Sequence, residues 1–140
     1  MDSVSHPIAE HNGHDMTSMT DPRIAELMAI HDSIMPQMST IMDLKLKLKN
    51  KIAKLDTLNS SKPADGLKAK KKQALAMLTK LEVADNSMMN WMHQYKADTL
   101  INLDPEKKTA YLTEQKQKIE IVRDQMKKSI SDARELINIP

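Results

Sequence analysis

Apolar residues recur every three or four positions through three stretches of this chain, each more than thirty residues long, and almost nothing interrupts them. A period near 3.6 gathers such residues on one face of an α-helix, whereas a strand would need strict alternation. Two glycines and six prolines are the only strong breakers in 140 residues, so long elements are expected. The first stretch covers residues 21–58. Thr20 or Asp21 suits its N-cap, Pro22 its first turn, and Ile24, Leu27, Met28, His31, Ile34, Met35, Met38, Ile41 and Met42 its apolar face. Leu44, Leu46 and Leu48 alternate with lysines as a strand would, but Leu44, Leu48, Ile52 and Leu55 carry the helical face onward. Pro36 has no N–H and is expected to kink this helix.

A turn at residues 59–63 (NSSKP) separates the second stretch, 63–98, whose inner face is read as Leu67, Ala74, Leu78, Leu81, Met88, Met92 and Tyr95. Asp104 followed by Pro105 marks an N-cap and first helical position for the third stretch, 105–138, with Leu112, Ile119, Val122, Met126, Ile130, Ala133 and Ile137 facing inward. The expected fold is all-α: an antiparallel up-down-up bundle of three long helices spanning 21–140, behind a disordered N-terminal tail, 1–20. Folding at the first turn sets His31 level with Trp91 and Met92, and Met35 level with Ser87 and Met88. Methionine and histidine therefore collect in one half of the bundle, while leucine and isoleucine fill the other.

Several functions are excluded or disfavoured on chemical grounds. Cysteine is absent, which removes disulfides, thiol catalysis and thiolate metal sites. No glycine-rich phosphate loop, nucleophile elbow, His-Glu-x-x-His or Glu-x-x-His pair occurs, and most acids sit at helical spacing from lysines, so no enzyme is expected. Asp85 is the exception. It falls between Leu81 and Met88, where it could accept a hydrogen bond from Trp91 or His31, or stand exposed if the register is slightly off. With a net charge of +2, no nucleic-acid partner is expected, and Lys68, Lys70, Lys71 and Lys72 read as a solvated helix start. No apolar run is long enough for a transmembrane segment, and a soluble chain is expected.

The chain has twelve methionines and no phenylalanine. Thioethers are adaptable core filler, and packing is the plainer reading of methionine at helical spacing. They are also soft ligands that, with imidazole, suit Cu(I) or Ag(I). Met28, His31, Met35 and Met38 share a helix face, and Met88, Met89, Met92 and His93 oppose them. The tail has no core to fill, yet it holds His6, His11, His14, Met16 and Met19. A non-covalent haem between His31 and a helix-two methionine is a more distant third reading.

Residues 11–19 (HNGHDMTSM) resemble the short His/Met segments of bacterial periplasmic copper- and silver-handling proteins. Residues 29–38 (AIHDSIMPQM) and 86–95 (NSMMNWMHQY) resemble a family of small bacterial envelope lipoproteins often labelled "viral A-type inclusion protein". That resemblance implies export to the periplasm or cell envelope, a lipid-anchored cysteine ahead of the domain and no established activity. This sequence departs from it in lacking that cysteine and a signal peptide. Two functions stand: a non-enzymatic envelope protein binding Cu(I) or Ag(I), or a helical structural or interaction protein whose methionines are packing.

Overall fold

A computed structural model describes residues 21–138, and among these there is no strand. Four α-helices follow one another: α1 (Pro22–Ile34), α2 (Gln37–Ser61), α3 (Asp65–Gln94) and α4 (Pro105–Asn138), with a 3-10 helix at Ala97–Asn102 before α4. Residues 1–20 and 139–140, and with them the tail expectations at His6, His11, His14, Met16 and Met19, lie outside the described residues.

The helix ends follow local chemistry. Asp21 caps α1, its carboxylate accepting from the Arg23 backbone N–H at 2.9 Å and from the guanidinium at 3.2 and 3.0 Å. These hydrogen bonds hold the Asp21 carboxyl below the usual carboxylate range. Asp104 does the same for α4, accepting from the Lys107 N–H at 2.9 Å, with Pro105 in the first turn as expected.

Pro36 does more than kink the first stretch: it divides it. Proline has no N–H to offer the Asp32 carbonyl. The chain instead makes Met35 N–H to His31 C=O at 3.0 Å and Met38 N–H to Met35 C=O at 3.0 Å, the second a tighter, 3-10-type closure. The second stretch stops four residues early, at Gln94. There the Lys96 N–H turns to the Tyr111 hydroxyl at 2.8 Å, and the 3-10 helix tucks Leu100 into the core.

The buried positions of α3 are Ala74, Met77, Leu81, Ala84, Met88 and Trp91, and those of α4 include Leu112, Gln115, Ile119, Val122, Met126, Ser129 and Ala133. Both series step by alternating threes and fours, a repeat of 3.5, which is the seam of coiled-coil-like packing. This seam differs from the expected face of α3. Leu78, Met92 and Tyr95 flank it, half-buried, while Met77, Ala84 and Trp91 take the centre. Small alanines at 74, 84 and 133 sit in the seam with no exposed surface. Met42, expected inside, is exposed.

Helix α2 packs against α3 and α4, α3 also against α4, and α1 mainly against α4. Named contacts give the pairing level by level. His31 meets Met92, Lys45 approaches Asp85 at 3.9 Å, and Asp56 bonds Lys71 at 2.7 Å. Gln94 and Gln115 exchange amide hydrogen bonds at 2.6 and 3.3 Å, Arg23 donates to the Thr109 hydroxyl at 2.7 Å, and Glu26 pairs with Lys116 at 2.9 Å. Asp85 therefore answers Lys45 from a half-buried position, and neither Trp91 nor His31 is its partner.

Candidate metal centre

His31 takes the seam position of α1 between Leu27 and Ile34, and its side chain keeps only 17% of its surface exposed. Its Nε2 lies 3.4 Å from the Met92 sulfur, across from α1 to α3. Its Nδ1 lies 3.0 Å from the Asp32 carboxylate. An ionised carboxylate only accepts, so Nδ1 carries the proton and donates to it. Nε2, the other ring nitrogen, faces the Met92 thioether at hydrogen-bond distance. Carboxylate–imidazole pairs of this kind are the usual means of fixing a metal-binding histidine.

The separation itself suits an ion. A tetrahedral centre with nitrogen at about 2.0 Å and sulfur at about 2.3 Å holds the two donors about 3.5 Å apart. The same closeness does not suit haem, whose two axial donors stand on opposite faces of a macrocycle. Among the described residues no group of three His, Asp or Glu side chains could hold a metal ion, so a centre here would rely on thioethers beside its one imidazole.

Around this pair the expected residues divide. Met28 and Met35, three before and four after His31, are half-buried against the core, as is Met38 beyond the break. These three stay on the side of α1 and α2 that the sequence suggested. Met88 is fully enclosed in the α3 seam, with no exposed surface. His93 is exposed in the last turn of α3.

One feature of the site was missed in the sequence: its aromatic wall. The His31 ring lies 5.9 Å from Trp91, Trp91 stacks on Tyr95 at 5.0 Å and 6°, and Tyr95 on Tyr111 at 6.1 Å and 22°. The chain has one Trp, two Tyr and no Phe, so this column holds its entire aromatic complement. The four-residue step from Trp91 to Tyr95 signalled the first stack; Tyr111 comes from another helix and gave no such signal. Within the column the Trp91 indole Nε1 and the Tyr95 hydroxyl are buried without a hydrogen-bond partner among the described residues. Burial pushes the Tyr95 phenol above its ordinary value, and nearby Tyr111 and Asp21 push it in the same direction.

No described helix is long and apolar enough to cross a membrane. Compared with protein-family models, curated proteins and solved structures, the chain finds no match.

Proposed function

We propose that this chain is a non-enzymatic protein of the bacterial cell envelope that binds Cu(I) or Ag(I) through methionine and histidine. The observation that carries the reading is the His31–Met92 pair, a nitrogen and a sulfur donor 3.4 Å apart on different helices. Met28 and Met35 lie next along α1 as further thioethers. The envelope location and a lipid anchor rest on the sequence resemblance. The architecture that goes with this reading is an antiparallel up-down-up bundle. Its support is that 45 meets 85 and 56 meets 71 in opposite order, while 23 meets 109 and 26 meets 116 in the same order.

The tail belongs to the reading through its reach. Asp21 lies ten residues before His31, about 15 Å along a helix. His14 lies seven residues before Asp21, and an extended chain spans up to about 24 Å over that distance. His11, His14 and Met16 can therefore supply the donors that an ion at His31 and Met92 still needs, whereas Met19, two residues from Asp21, spans only about 7 Å. Ordering them costs about 1–2 kcal/mol per fixed residue, so the tail adds affinity without dominating it.

A second reading is favoured by one observation: Met88 and Met126 have no exposed surface and Met77 almost none. Those three behave as core packing, and a protein whose remaining methionines did likewise would be a helical structural or interaction protein. An anaerobic Cu(I) titration of the whole chain against a competing chelator, followed by Trp91 emission, decides between them. The metal reading expects stoichiometric competition and quenching, weakened when residues 1–20 are deleted. A chelator that keeps all of its copper at every protein concentration refutes it.

A further inference from the structure

Charge is distributed very unevenly along this chain. Residues 45–72, the end of the α2–α3 hairpin, hold ten lysines (45, 47, 49, 51, 54, 62, 68, 70, 71 and 72) and two acids, Asp56 and Asp65. That segment carries +8 while the whole chain carries +2, so everything outside it sums to −6. A helical start that merely needs solvation does not require so lopsided a count. Seven of the ten lysines are exposed, among them Lys54, Lys62, Lys68 and Lys72.

The same end exposes apolar side chains between its lysines. Leu58 and Leu75 are 54% and 44% exposed. Leu75 and Leu67 border a groove of about 320 Å³ between α2 and α3, with Leu55 below and Lys68, Lys71 and Lys72 along it. Lys71 is held at Asp56. Lys51 donates to the Leu136 carbonyl at 3.2 Å, so the hairpin beyond residue 51 extends past the level of Leu136 in α4.

From this arrangement we infer that the hairpin end docks on the surface of an anionic phospholipid bilayer. Lysines on long apolar stems reach phosphate headgroups while leucines between them enter the boundary with the acyl chains. Nucleic acid would supply the same phosphates but no use for the leucines. This end also lacks what usually reads or stacks nucleic acid, since it contains no arginine and no aromatic residue. The negative remainder of the molecule orients the encounter, turning the hairpin toward the membrane and the His31–Met92 half away from it.

The test is co-sedimentation of the whole chain with vesicles of phosphatidylcholine alone or with phosphatidylglycerol at about one lipid in three. Binding is expected only with the anionic lipid and should vanish in high salt. Changing Lys54, Lys62, Lys68 and Lys72 together to Gln should weaken it by about fivefold per lysine, several hundredfold in all. The equal change of Lys96, Lys107, Lys108 and Lys118 should leave it within a few-fold. All eight side chains lie outside the seam, and circular dichroism verifies that both variants are folded. Leu58→Gln with Leu75→Gln should weaken binding about tenfold while keeping its salt dependence. Equal retention by neutral vesicles, equal loss in the two lysine variants, no loss in the leucine variant, or displacement by single-stranded DNA at equal phosphate would each overturn the inference.

Discussion

Replacing Met92 by Leu separates the chemistry of its sulfur from its volume. Met92 flanks the α3 seam half-buried, and the exchange conserves shape, so the apo protein should lose less than about 1.5 kcal/mol. The ligand effect is larger. Silver at one hundred times its dissociation constant stabilises the folded state by about 2.7 kcal/mol. For a domain of this size 1 kcal/mol moves the midpoint by about 3–5 °C, so the metal should raise Tm by roughly 8–13 °C. Losing a hydrogen-bonded partner of a ligand usually costs tenfold or more in affinity, and losing a donor costs at least as much. At the same free silver the variant would then gain about 1.4 kcal/mol or less, half the shift in Tm or below it. The assay is thermal unfolding by circular dichroism at fixed, chelator-buffered Ag(I). A Met92→Leu protein that shows the full shift refutes the assignment of the 3.4 Å contact to a metal site.

The other predictions concern the packing beside it. Met88, with no exposed surface, should tolerate Leu at less than about 1.5 kcal/mol and lose about 2–5 kcal/mol as Ala, read from urea midpoints; equal costs for the two would show that its site is not tightly packed. Tyr95 has a phenol raised by burial, so its contribution is full below the unfolded value near 10 and disappears as pH rises through the folded value. Tyr95→Phe should therefore flatten the alkaline limb of a stability–pH curve and, because the hydroxyl has no partner among the described residues, cost little at neutral pH; an unchanged alkaline limb would contradict this.

Much of the fold can be read from the sequence where one local rule acts alone. Asp104–Pro105 starts α4, Asp21–Pro22 starts α1, and the alternating leucines at 44–48 remain helical because Leu44, Leu48 and Leu55 continue one buried face. The errors arise where rules compete. The face expected on α3 steps by four from Ala74 to Leu78 and from Met88 to Met92, whereas the 3.5 repeat of the seam takes three there and buries Met77 and Trp91. The early end of α3 depends on the Tyr111 hydroxyl taking the Lys96 N–H, a contact between distant positions that no local signal announces. For the candidate site, folding the chain at the first turn was enough to bring His31 to Met92. The 3.4 Å separation and the stacking of Tyr111 arise from packing between helices, which no local pattern announces.

The break at Met35–Pro36 leaves α1 as a thirteen-residue helix, near the length at which an isolated helix is marginal in water. It is joined to α2 by a residue that cannot extend the hydrogen-bond ladder, and held chiefly by α4. His31 belongs to this arm and Met92 to the body. An ion shared by the two would act as a latch: closing on it docks the arm, and undocking the arm opens the coordination sphere without unfolding the rest. The rate at which such an ion is handed on would then follow the opening of one short helix, measurable as amide exchange of α1 ahead of α3 and α4.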